Sequence, residues 1–273
     1  MSVRVIAASS YLQPVRDGEA LPSLDQALKD VSREHFRRVD RFIQLALIGS
    51  GRCVAGQALR PECGIYLGSG FGPIASNVAT QQQMLRDHEI PKPYNFVNTL
   101  GVSAGFHVAK NLGMPGQNLF ISRRGASLEA ALATALTDLE LGVLSQALVG
   151  VVEEVTLPLD EHRRRRDLPS DALVAEGSHW LLLERDAARG KSVSMKHFDD
   201  LGSLERELNA SCRENDRVHR PQAVDKRGRD GRAFHDNPDA AVAAEFAAAA
   251  MAGSLFLANG SPGRGYTLLH LGP

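Results

Sequence analysis

Residues 116–140 read GQNLFISRRGASLEAALATALTDLE. Asn118–Ser122 is a short run of apolar and β-favouring residues, bounded by Gly116-Gln117 on one side and Arg123-Arg124-Gly125 on the other. It is too short for a helix and is predicted as a buried strand. Leu128, Leu132, Leu136 and Leu139 then recur at helical spacing, with Ala at most of the remaining positions, which predicts a helix packed nearly all round. A strand that enters the N-terminus of a buried helix is a setting for a nucleophile or an anion, because free N–H groups and the helix dipole converge there. The turn itself carries Gly125, which offers no side chain.

Around this stretch the chain has 273 residues, 43% hydrophobic and 5% aromatic, enough for one large domain with a substantial core or for two small ones. Its 31 basic and 32 acidic residues leave a net charge of −1, so no global signal points to nucleic acid. No basic segment leading into an apolar core opens the chain, so no signal peptide is expected. The apolar segment 240–258 contains Glu245 and is expected to be a helix running into a strand, with no membrane span. Cys53, Cys63 and Cys212 are odd in number and have no CxxC spacing. They are expected to be free thiols in a reducing compartment, with no metal, and the cytoplasm is the expected location.

In chain order, Val3–Ala8 is predicted as the first strand, followed by a loop through Pro22. Ser32–Ile48 is predicted as one helix capped by Ser32, with an apolar stripe of Phe36, Val39, Phe42, Ile43, Ala46 and Leu47. Arg37, Arg38 and Arg41 would form its solvated face or a docking surface. Cys63–Gly72 reads as a strand and a glycine-rich turn, and Ile74–Asp87 as a helix. Pro73 breaks the dinucleotide-binding spacing begun by Gly68 and Gly70, so tight turning explains these glycines. Gly101, Ser103 and Gly105 satisfy G-x-S-x-G, the nucleophile elbow of α/β hydrolases, with His270 as the late histidine of a triad. That elbow needs a buried strand before it, whereas Pro91, Pro93, Asn95 and Asn98 make poor strand material. Gln146–Val152 is predicted as a strand ending at Glu153 and Glu154, which are read as structural groups at the sheet end in preference to an acid/base pair. His162–Arg166 (HRRRR) is a charge run placed in a loop, and residues 200–239 read as a polar, charge-dense excursion.

Several of these segments resemble the β-ketoacyl synthases of the thiolase superfamily. The family's Thr-Ala-Cys at the mouth of the central helix falls on Arg123, Arg124 and Gly125, and its following small residues on Ala126 and Ser127. SREHFRRVDRFIQLAL is similar to the family's early helix, and FVNTLGVSAGFHVAKNLG to a segment near its dimer interface that helps line the partner's acyl pocket. AEGSHWLLLERDAARG matches the family's Glu-Gly at Glu176 and Gly177, while His179 and Trp180 replace small residues at a crowded place. Asn259 and Gly265 match the closing strand pair. After about residue 190 the likeness thins, and neither of the family's catalytic-histidine motifs is found.

The resemblance implies an α/β, thiolase-like layered α-β-α fold, with a complete N-terminal half over 1–190 and a shortened, divergent remnant over 191–273. Claisen condensation in this family needs a thiolate and two histidines. Their loss implies a non-catalytic, chain-length-factor-like subunit that pairs with an active β-ketoacyl synthase in type II polyketide or aryl-polyene and fatty acyl assembly. Arg123 and Arg124 would fill or brace the vacated site at Gly125. Asn95, Phe96, Asn98, Asn118, Phe120 and Ser122 would form the dimer interface and pocket. Arg163, Arg164, Arg165 and Arg166 would dock an acyl carrier protein, whose phosphopantetheine delivers the acyl groups with no other cofactor. Two alternatives remain at this stage: a stand-alone acyltransferase or serine hydrolase using Ser103, Ser122 or Ser127, and a homodimeric acyl-binding scaffold.

Overall fold

The computed structural model describes residues 2–123, 125–166, 168–212, 216–219, 243–244, 246–250, 254–261 and 265–272. In chain order the elements are β1 (Val3–Val15), α1 (Asp25–Val31), α2 (Arg41–Cys53), β2 (Gly64–Gly68), α3 (Ile74–Leu85), α4 (Pro93–Asn98) and α5 (Gly101–Leu112). They continue with β3 (Asn118–Ile121), α6 (Ser127–Leu141), β4 (Gln146–Glu153), α7 (Leu159–Arg165) and β5 (Val174–Arg185). The last group is β6 (Lys191–Phe198), α8 (Leu201–Ser211), β7 (Arg217–His219), β8 (Leu255–Ser261) and β9 (Gly265–Leu271).

The described strands run in the order β3-β2-β4-β5-β1-β6-β9-β8-β7. β2 is parallel to β4, β4 antiparallel to β5, and β5 antiparallel to β1. The same relations recur in the second part, where β7 is parallel to β8, β8 antiparallel to β9, and β9 antiparallel to β6. The second set therefore repeats the first, but among the described residues it has no counterpart of β3. The repeats join where Arg4 and Val5 of β1 pair with Ser192 and Lys191 of β6.

Strand alternation sorts the side chains into layers, since successive residues point to opposite faces. Leu148, Val152, Trp180 and Leu182 pack with α2 and α5 on the outer face of the first repeat. Val149, Val151, Leu181 and Leu183 pack on the other face with Leu128, Leu132 and Leu139 of α6. That same cluster takes in Phe246 and Ala247 from the helical residues 246–250, together with Leu255, Leu257, Leu269 and Leu271 of β8 and β9. Phe256, Ala258 and Leu268 face away from it, onto Leu204 and Leu208 of α8. The order is thus α-β-α-β-α, with α6 in the buried middle layer, as the leucine repeat requires.

The predicted strand at 118–122 and helix from 128 are present, and α6 ends on Gly142 at φ 75°. Four boundaries differ from the sequence reading. Of the helix expected over Ser32–Ile48 only the part from Arg41 is helical, as α2; residues 32–40 are not, and Ser32 follows the end of α1 instead of opening a helix. Ser32 closes α1 by donating to Leu28 O, and Asp40 caps α2 by accepting from Ile43 N–H at 2.9 Å. Between them the Arg33 N–H is held by Asn111 Oδ1 at 2.8 Å, so Phe36 and Val39 reach the core from non-helical backbone. β1 runs on to Val15, because β5 pairs with it along its whole length. The run at His162–Arg166 is the end of α7 and its cap, not a loop. Within the expected polar excursion, 201–211 is α8 and 217–219 is β7, while 213–215 and 220–239 lie outside the described residues.

Trp180 is fully buried on β5, and its indole lies over two glycines. A Cβ on Gly150, its direct neighbour on β4, would stand 2.2 Å from Trp180 Cδ2, and one on Gly49 of α2 would stand 2.6 Å from Cδ1. The bulk at 180 is therefore accommodated by the absence of side chains at both Gly150 and Gly49.

Candidate functional site

The turn from β3 into α6 is built around Ser127. Its hydroxyl donates to Arg123 O at 2.9 Å and accepts from Arg123 N–H at 3.0 Å, and Ala126 N–H closes onto Arg123 O at 2.8 Å. Gly125 sits in the left-handed region at φ 73°, where a residue with a Cβ is strained. The far side of the turn is held by the second repeat. At the end of β8, Asn259 Nδ2 donates to Gly125 O at 2.8 Å and also to Glu129 Oε1, while its Oδ1 accepts from Gly260 N–H at 2.8 Å. Glu129 is a buried carboxylate in the first turn of α6. The sequence marks it as the one charged residue in the opening two turns of a Leu/Ala helix, a signal the motif comparison passed over. Arg123 is exposed and takes part in the turn through its backbone, and Arg124 lies outside the described residues.

The replacement nucleophiles fare poorly. Ser103 is inside α5, buried, and donates its hydroxyl to Val97 O at 2.7 Å. Ser122 is exposed, with only a long 3.5 Å approach to Gly70 O, and Ser127 is engaged in its own turn. His270 stacks on Phe256, with ring centroids 4.1 Å apart, in the face of β8 and β9 that packs on α8. Both sheets separate it from α5, so the triad considered for Ser103 is not assembled. The G-x-S-x-G spacing has another cause. A Cβ on Gly101 would stand 2.4 Å from the Phe120 ring, and one on Gly105 would stand 2.1 Å from Asn118 Oδ1. The two glycines, one helical turn apart, let α5 lie directly on β3.

Nor do Cys53 and Cys63 offer a thiolate. Burial pushes the Cys53 and Cys63 thiols up to about 12. Among the described residues no group of three His, Cys, Asp or Glu side chains is placed to hold a metal ion.

Glu153 and Glu154 end β4 beneath the glycine-rich turn and are both buried. Glu153 Oε1 accepts from the Ser69 hydroxyl at 3.0 Å and from Gly70 N–H. Glu154 Oε1 accepts from Ala75 N–H at 2.8 Å in the first turn of α3. Burial pushes the Glu154 carboxyl up to about 8, and the nearby Asp40, Glu176 and Glu153 act in the same direction. Glu176 is itself clamped by Arg41 through Nε at 2.7 Å and through Nη2. These carboxylates join turns to strand ends, a structural use.

Of the arginine run, Arg163 is buried, with paired bonds to Asp17 at 2.7 and 2.8 Å and a third to Ala172 O. The Arg166 side chain is 3% exposed, lies over the Phe71 ring and faces Glu153. Arg164 and Arg165 alone point outward, both toward Glu161. In the nearby segment 32–40, Arg33, Arg37 and Arg38 are exposed, and no ion pair engages them among the described residues.

Most of the residues expected at an interface lie on or beside β3 and α4. Among the described residues β3 is hydrogen-bonded to a strand, β2, on one side only, so its other side is an open strand edge there. Asn118 and Phe120 face α5, the Phe120 ring meeting Phe42 edge-on at 6.4 Å. α3, α4 and α5 pack in succession beside β3. These helices and their connections expose Leu85, Ile90, Phe96, Leu100, Val102 and Phe106, and Phe96 is 58% exposed. Asn95 and Asn98 are half-buried on α4, and Asn98 donates to Arg38 O at 3.2 Å. Exposed large apolar side chains grouped in this way are a feature of surfaces that meet other molecules.

Three solved structures share the fold. The ishigamide ketosynthase/chain length factor aligns with a TM-score of 0.75 at 16% identity, covering 99% of both chains. The type II polyketide synthase complex AntDE:AntF aligns at 0.67 and 14%, again covering 99% of both. The ketosynthase ApeO in complex with its chain length factor ApeC, from Xenorhabdus doucetiae, aligns at 0.56 and 13%, with the same coverage. No curated protein matches the sequence. The family model of the β-ketoacyl synthase N-terminal domain matches residues 6–164, from β1 through the turn at Gly125 to α7. Spanning more than half of its length, that match places the chain in the β-ketoacyl synthase family.

Proposed function

We propose that this chain is a non-catalytic, chain-length-factor-like subunit that pairs with an active β-ketoacyl synthase and completes its acyl pocket. The observation that carries the reading is Gly125: the family's nucleophile position holds no side chain, sits at φ 73° and has its carbonyl engaged by Asn259. A thioester needs a thiolate there, and decarboxylation needs histidines that the chain's motifs lack. The open edge of β3 and the apolar surface of α3, α4 and α5 supply a face for a partner of the same fold, whose own edge strand would continue the sheet. Two of the structural neighbours carry the words chain length factor in their descriptions, which supports the same reading.

In this reading the acyl chain arrives on the phosphopantetheine of an acyl carrier protein, and the complex works in the cytoplasm. AntDE:AntF is described as an acyl carrier protein in complex with its ketosynthase. With Arg163 and Arg166 buried, carrier docking on this chain falls to Arg164 and Arg165, and to the exposed Arg33, Arg37 and Arg38. Co-expression with a ketosynthase, followed by condensation assays on the pair and on each chain alone, tests the proposal. It expects a one-to-one complex whose activity needs both chains; activity of the ketosynthase that is indifferent to this chain would overturn it.

A further inference from the structure

Outside the middle-layer packing, a polar tie joins the second repeat to the turn at Gly125. Asn259 spends its whole amide on it: Nδ2 donates to Gly125 O and Glu129 Oε1, and Oδ1 turns back to Gly260 N–H. The geometry leaves little freedom. Gly260 follows at φ 148°, where a Cβ would stand 2.5 Å from Gly265 O, so the strand end is pressed against β9. Asn259 is 8% exposed and Glu129 3%, so this bond to a carboxylate is screened from water and correspondingly strong. The turn it holds follows directly from the open edge strand β3, so its position fixes where Phe120–Ser122 end.

We infer that Asn259 and Glu129 are positioning residues, a clasp through which the second repeat sets the end of β3 where it walls the partner's acyl pocket. The inference rests on the proposed pairing for its effect on product, but the clasp itself belongs to the chain alone. Asn259→Asp aims a carboxylate oxygen at both Gly125 O and Glu129, so it breaks the clasp more thoroughly than Asn259→Ala. Adding Glu129→Gln to Asn259→Asp returns an N–H donor between the two side chains, with the direction of the bond reversed.

Two measurements separate the clasp from the pairing. In the isolated chain, hydrogen exchange of peptides covering 118–127 is expected to quicken about tenfold in Asn259→Ala and more in Asn259→Asp, with partial return in the double variant. In the complex with a ketosynthase, Asn259→Asp is expected to form the pair at wild-type stoichiometry and KM, but to lower kcat and broaden product length, and the double variant to recover both in part. Loss of complex with unchanged products per complex would mean a merely structural role and overturn the inference. Unchanged exchange at 118–127 in every variant would overturn the clasp whether or not the chain pairs. Altered exchange with no pairing of the wild-type chain would sink the proposed function and leave the clasp standing.

Discussion

Gly150→Ala is the most informative single perturbation of the fold. Trp180 is the only tryptophan in the chain and is fully buried, its Nε1–H donating to Ser178 Oγ at 2.8 Å. A methyl group at 150 would stand 2.2 Å from Cδ2 and 2.3 Å from Cε3, and real Cβ contacts lie more than an ångström further out. The Gly49 backbone of α2 also lies close to the ring, since a Cβ built there would stand 2.6 Å from Cδ1. Overpacking of a closed core costs about 1–3 kcal/mol, and a methyl group set against the middle of a fully buried ring belongs near the upper value. At about 2–4 °C per kcal/mol for a chain of this size, Tm should fall by roughly 6–12 °C. Urea unfolding followed by circular dichroism reads the loss, and tryptophan emission should shift to the red as the ring is displaced. Once Trp180→Leu has removed the ring, Gly150→Ala should cost little, giving a coupling of about 2 kcal/mol in the double-mutant cycle. Additive costs, or a Gly150→Ala variant within about 0.5 kcal/mol of wild type with unshifted emission, would refute the packing argument.

Three further outcomes are expected. Phe106→Glu puts a charge in the exposed apolar surface on α5 and should weaken binding to a ketosynthase about 100-fold, as loss of an aromatic anchor does, while leaving the Tm of the lone chain unchanged; titration by size-exclusion chromatography checks both. Gly125→Cys restores a thiol at φ 73° at a cost of about 1–2 kcal/mol, yet should not give condensation by the lone chain, and turnover of malonyl units by that variant would contradict the reading. Glu154, held up to about 8 by burial against an ordinary 4.5, keeps its proton in the folded chain where the unfolded chain sheds it. Stability should therefore fall as pH rises between those two values, with Asp40 acting in the same sense through its own burial. Glu154→Gln should remove its part of that slope, on the order of 3 kcal/mol at about pH 7, and urea titrations across the range would show it.

What the sequence reveals of this fold follows the range of each interaction. The strand at 118–121 and the helix from 127 are legible because local signals agree: a short apolar run, a Gly-bearing turn, then leucines on a helical period. The break between α1 and α2 is not, because the apolar stripe of Phe36, Val39 and Phe42 runs through it, while the bond that holds Arg33 out of the helix comes from Asn111, 78 residues away. The arginine run misleads for the same reason. Its charges are local, but the Asp17 that buries Arg163 is 146 residues distant, and the Phe71 ring under Arg166 lies on another turn. At the site, the empty nucleophile position can be read directly, whereas the partner that holds it cannot. Asn259 meets Gly125 across 134 residues, and Glu129 becomes meaningful only once its face of α6 is known to be buried. Likewise Gly101 and Gly105 resemble an elbow until Phe120 and Asn118 are seen lying against them.

The central claim is that the turn at Gly125 can carry no acyl group. Intact-mass analysis of the purified chain, incubated alone with acyl-CoA, acyl carrier protein thioesters and malonyl thioesters, tests it most directly. An unchanged mass, with extension products appearing only when a ketosynthase is added, is the predicted result. A covalent acyl adduct on this chain together with chain extension in the absence of any partner would contradict it.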